Sequence, residues 1–227
     1  MSTPQQNLWN AYLEAESRGL RSERNGALER FLDSLTGLPL EAQHNWSLSL
    51  ASNIVDNGES TPVRMQLFRR AIFPALENAI ATRTPGAARW LAGFAQHIYK
   101  CGDLRPRLVD GSLTEHSLLQ TAIEHDPNDT TARRRLLDLL AHRLNYTLHE
   151  LPNGVLFDYD GASVDQCRKM LGELDDFKHH VEFLGFTDDY ADLVAQCHFH
   201  YNTYADFLTA PRGASSYADY LTQVSDA

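Results

Sequence analysis

The feature that most limits what this chain can become is the spacing of its apolar residues. They recur at three and four positions over nearly the whole length, with Gly and Pro between the runs. That period puts them on one stripe of an α-helix, whereas a half-buried strand would need strict alternation. The stripe is dense in Ala27, Leu28, Phe31, Leu32 and Leu35, and again in Cys167, Met170, Leu171, Leu174, Phe177, Val181 and Leu184. A further one runs through Tyr190, Val194, Cys197, Tyr201, Tyr204 and Leu208. Gly19, Gly37, Gly58, Gly102 and Gly185 supply stops, and Pro4, Pro39, Pro62 and Pro85 supply starts. Ser22 and Thr187 are the expected N-caps of their helices. Pro74 falls inside a run and should kink or split it, because its ring removes a donor and crowds the preceding turn. The expectation is an all-α fold of about nine or ten helices, packed as antiparallel hairpins with short loops. It forms one domain over 1–227, with 1–111 and 112–227 as its subdivision.

Two stretches lack helical grammar. "DLRPRLVDGS" reads as a loop, and "HELPNGVLFDYDG", His149 to Gly161, has a turn signal at Asn153-Gly154 followed by alternating Val155, Phe157 and Tyr159. The second is either a packed connector or a recognition loop held on a helical scaffold.

"AIEHDPNDTTARRRLL" is the end of one helix, a Pro-Asn-Asp turn and the start of another. It resembles the junction between tetratricopeptide repeats: Ala122, Pro127, Ala132 and Leu136 match that family's pattern, and Leu119 stands where a large apolar residue is usual. Ala27, Phe31 and Pro39 give a weaker echo. Glu115, Arg133 and Leu137 depart from the pattern, and no full repeat recurs at a fixed period of ~34 residues. The resemblance implies partly repeat-like stacking of helical hairpins and, by analogy, protein binding.

Charge is unevenly spread. Residues 1–113 hold 12 basic and 11 acidic side chains, residues 114–227 hold 8 and 19, and the net charge is −10. An acidic C-terminal half argues against nucleic acid as a partner and for a cationic one. The three cysteines, Cys101, Cys167 and Cys197, form no CxxC pair, which points away from a disulfide framework and toward a reducing compartment. No signal peptide and no membrane-length apolar run stand out, so a cytoplasmic location away from the membrane is expected. Only three of the twenty basic residues are Lys, a bias that suits a bacterial origin.

Catalytic signatures are missing: no Walker loop, GxGxxG, GxSxG or HExxH occurs. His198 and His200 diverge by about 200° on a helix and cannot share a metal. A calcium loop starting at Asp158 fails, because Ser163 and Lys169 stand where Gly and Glu are required. No metal site and no cofactor are therefore expected. The reading favoured is a protein-binding module, immunity- or chaperone-like, whose partner is another and basic protein. Its face is built from Glu150, Phe157, Asp158, Asp160, Asp175, Asp176, Asp188 and Asp189. The competing reading is an enzyme whose site is assembled from His142, His149 and carboxylates on separate helices.

Overall fold

A computed structural model describes residues 3–151 and 163–225. Among these residues every regular element is helical and none is a strand. There are thirteen α-helical segments, of which α4 (Met65–Leu67) and α5 (Phe73–Ala81) are joined through a π-turn at Phe68–Ile72 into one continuous run. The count exceeds the expected nine or ten because short helices form where the sequence reads as loop or as one longer helix.

The chain divides into two compact units, Met1–Ala132 and Arg133–Ala227, and the division falls inside α10 (Thr130–Glu150). The N-terminal unit holds α1 (Thr3–Arg18), α2 (Arg21–Thr36), α3 (Leu40–Asp56), α4, α5, α6 (Ala87–Ala92), α7 (Ala95–Lys100), α8 (Arg105–Val109) and α9 (Glu115–His125). Helix α1 packs on α2, α3 on α5 and α6, and α6 on α9. The expected stripe of α2 is the buried one: Ala27, Leu28, Phe31, Leu32 and Leu35. Around it Trp9, Tyr12, Phe31 and Trp46 stack with ring centroids 4.9–5.2 Å apart. Each such pair contributes about 0.5–1.5 kcal/mol beyond its buried area.

Ion pairs then tie separate helices together. The Arg64 guanidinium grips both oxygens of Glu16 at 2.6 Å, and the Tyr12 hydroxyl lies 3.0 Å from the same carboxylate and 2.8 Å from the Pro62 carbonyl. Arg89 on α6 donates to Asp129 at 2.9 Å and also to Asp56 at the end of α3, and Trp90 Nε1 donates to Asp56 at 2.7 Å. Asp129 in turn accepts from the Ala132 backbone N–H at 2.8 Å and so caps α10.

Several sequence expectations shift. Helix α2 begins at Arg21 after Leu20, with no side-chain cap from Ser22. The run after Pro85 breaks at Gly93 and Phe94 into α6 and α7. A Cβ at Gly93 would lie 2.5 Å from Val55 Cγ2, so glycine there permits the close approach of α6 to α3. Pro74 follows a π-turn in which the Phe73 N–H reaches the Phe68 carbonyl. The wider turn carries the proline without breaking the helix. The expected loop at 103–112 contains α8, opened by a 3-10 turn at Gly102–Leu104.

In the C-terminal unit, α11 (Val164–Leu184) and α12 (Thr187–Thr209) pack against each other, and α13 (Tyr217–Ser225) packs on α12. Gly185 takes φ +74 between them. The Phe186 N–H reaches Val181 O and the Gly185 N–H reaches Glu182 O, which closes the end of α11. Helix α12 starts at Thr187 itself, after Phe186, so Thr187 is its first residue and not its cap. Cys167, Met170, Leu174, Phe177 and Val181 of α11 are buried, as are Cys197, Tyr201 and Tyr204 of α12. Leu208 is left exposed. Among the described residues, no helix is long and apolar enough to cross a membrane.

Candidate functional site

Of the eight residues picked from the sequence, the five described ones lie on three helices, α10, α11 and α12. Phe157, Asp158 and Asp160 lie outside the described residues. Glu150, at the end of α10, is half-buried, with its carboxylate 2.9 Å from His149 Nδ1. Asp175 and Asp176 are exposed on α11, ten and nine residues before Gly185, which is about 14 Å along a helix that rises 1.5 Å per residue. Asp188 and Asp189 are exposed in the first turn of α12, where their charge suits the helix dipole. Asp175 is partly neutralised by Lys178 at 3.3 Å.

A different alignment emerges on α12. Asp188, Asp192, Phe199 and Asp206 are spaced by four, seven and seven, which places them on one line of the helix, opposite the buried Cys197, Tyr201 and Tyr204. All four are exposed, Phe199 by 47%. On α11, Phe183 is 46% exposed, with the Arg133 guanidinium 3.9 Å from its ring centroid. Among the described residues, Asp176, Glu182, Asp188, Asp189, Asp192 and Asp206 have no ion-pair partner. Asp206 and the two phenylalanines escaped the sequence reading, which looked for acid density. The helical spacing of Asp188, Asp192, Phe199 and Asp206 was the available signal.

Arg133 is buried and lies over Phe183, while Arg134 pairs with Asp138 at 3.2 Å and sits 4.4 Å from the Phe186 ring centroid. Asp129, just before these arginines in the chain, is taken by Arg89.

His142 and His149 are both exposed. His200 is half-buried, its Nδ1 2.9 Å from the Tyr217 hydroxyl, and burial holds its pKa below the ordinary value of 6.5. Among the described residues, no group of three or more His, Cys, Asp or Glu could hold a metal ion. The three thiols are buried, and burial raises all three, Cys197 to about 11. A thiol held protonated in this way is a poor nucleophile.

Comparison of the chain with known protein families, with characterised proteins and with solved structures finds no match. Fold and surface together define an all-helical chain of two compact units, the second of which turns unpaired acids and an aromatic side chain to solvent on one helix face.

Proposed function

We propose that this chain is a protein-binding module and that the outer face of α12 takes a basic segment of another protein. The observation that carries the reading is the row Asp188, Asp192, Phe199, Asp206. It offers negative charge that no described side chain of the unit neutralises, with one exposed aromatic in its middle. Aromatic anchors supply most of the energy at protein interfaces, and surrounding charge steers and orients the encounter. A partner suited to this row presents Lys or Arg at helical or extended spacing around a shallow apolar spot. Glu182 and Asp176 on α11 widen the negative field.

The tetratricopeptide-like reading of the Ala122–Leu136 joint belongs to the same proposal. Its support is local: Leu119, Ala122, Ala132 and Leu136 are all buried. The role that fits is that of a cytoplasmic holder of a cationic protein, immunity- or chaperone-like.

The test compares the wild-type protein with a variant carrying Asp188→Asn, Asp192→Asn, Phe199→Ala and Asp206→Asn. Both are used as bait in lysate at about 50 mM and about 200 mM salt, a span over which charge-driven contacts weaken strongly. The expected result is a retained protein with a basic segment, weakened by salt and lost with the variant. Retention that ignores both salt and the variant overturns the reading.

A further inference from the structure

The second feature that reads as a site lies in the N-terminal unit. Helix α5 contributes Phe73, Glu77, Ile80 and Ala81 to the wall of a cleft of about 230 Å³. Leu91 of α6, Leu113, and Leu118 of α9 are buried and make its floor. Arg107 of α8 stands at the mouth, ion-paired to Glu77, with its guanidinium 6.0 Å from the Phe73 ring centroid. We propose that this cleft binds a free amino acid with an apolar side chain, its carboxylate on Arg107 and its ammonium group on Glu77.

Size comes first. Pockets for drug-sized ligands begin at ~300 Å³, and 230 Å³ holds about eight waters at ~30 Å³ each. That is the room of a molecule such as leucine. The floor is apolar, so the buried part of the ligand is apolar too.

The hydrogen-bonding inventory then selects the head group. Two hydroxyls line the cleft, but both protons are in use: Ser112 Oγ donates to the Arg107 carbonyl at 3.2 Å and Thr121 Oγ1 to the Ser117 carbonyl at 2.9 Å. Arg107 is therefore the one lining side chain with N–H groups to offer, and Glu77 is the one anion. A simple carboxylate would meet the charge of Glu77, and a simple amine that of Arg107. A zwitterion with an ammonium and a carboxylate on one carbon matches each. The Arg107–Glu77 pair has 41% and 49% of its side chains exposed, and a pair so open contributes little on its own. Exchanging it for two ligand contacts is thus a small cost.

Calorimetric and NMR titration of the intact chain with L-leucine, 4-methylpentanoate, 3-methylbutylamine and glycine tests the assignment. Leucine is expected to bind with a Kd on the order of 1 mM and to shift resonances of Leu113 and Leu118. The other three should bind at least about tenfold more weakly, since each lacks one of the three matched features. Arg107→Met should weaken leucine by roughly tenfold and Glu77→Gln by less, with helix content unchanged because both side chains are half in solvent. Ala81→Phe, at an exposed position on the rim, should block the cleft without touching the core. Absence of leucine binding up to about 50 mM, or equal binding of 4-methylpentanoate or glycine, overturns the proposal.

Discussion

The two units use charge in opposite ways. In the N-terminal unit ion pairs join different helices: Arg64 to Glu16, Arg70 to Glu29 and Asp33, Arg89 to Asp56 and Asp129, Arg107 to Glu77. In the C-terminal unit three pairs lie one turn apart on the same helix: Arg134 with Asp138, Arg168 with Asp165 and Lys178 with Asp175. There Arg143 with Glu173, at 3.0 Å, bridges α10 and α11. Aromatic packing takes over the joining role, with Tyr204 and Tyr217 at 4.7 Å between centroids and Phe177 and Tyr190 at 5.2 Å. The lesson is that acidic side chains left out of a unit's internal bonding remain available for other work. Among the described residues, the C-terminal unit leaves six of them so.

Breaking this contrast should cost most at Arg89. Its side chain is 12% exposed and that of Asp129 7%, so Arg89→Met strands a buried carboxylate. The expected loss is about 3 kcal/mol, read from urea unfolding. The matching change in the C-terminal unit, Arg143→Met, should cost about 1–2 kcal/mol, because that pair is less enclosed. Equal losses at the two sites would erase the distinction.

Acid should separate the units next. The folded pKa of His200 is lowered by burial, so its contribution is complete above the ordinary value of 6.5 and is lost as pH falls through the folded value. Glu16 is held low chiefly by its hydrogen bond to Arg64, so its contribution is complete above 4.5 and disappears only in stronger acid. On lowering the pH, tyrosine signals from the α12–α13 contact should therefore change before those of Tyr12. The reverse order in a two-dimensional NMR titration would contradict this.

Smaller effects follow. The Tyr201 hydroxyl is buried close to Cys197 and Thr147 without a hydrogen bond of good geometry to either. Tyr201→Phe should change stability by under ~1 kcal/mol, in either direction. A loss of 2 kcal/mol or more would mean that the hydroxyl is well bonded. Least of all, Arg168→Ala, on a pair with 72% and 82% exposed side chains, should stay within about 0.5 kcal/mol in thermal melts.

Much of the helix pattern was legible in advance because period and stop signals are local. The buried set of α2 matches its sequence stripe residue for residue, and Gly185 closes α11 where expected. Caps were less legible. Neither Ser22 nor Thr187 caps, since the entry angle of each helix depends on what it packs against. No local signal marks Gly93, and only its closeness to Val55 explains it. Of the candidate face, acid density in the sequence marks Asp188 and Asp189, while nothing local sets Phe199 apart from other apolar residues.

By itself, then, the sequence determined an all-helical chain, where most helices start and stop, and which half is acidic. These follow from periodicity, from the backbone limits of Gly and Pro, and from composition, none of which needs a partner element. Only the tertiary structure decided that Arg89 is spent on Asp56 and Asp129 and Arg133 on Phe183, while Asp192, Phe199 and Asp206 are left facing water. Pairing joins residues 33 or more positions apart, and no local rule fixes which distant side chain a charge will meet.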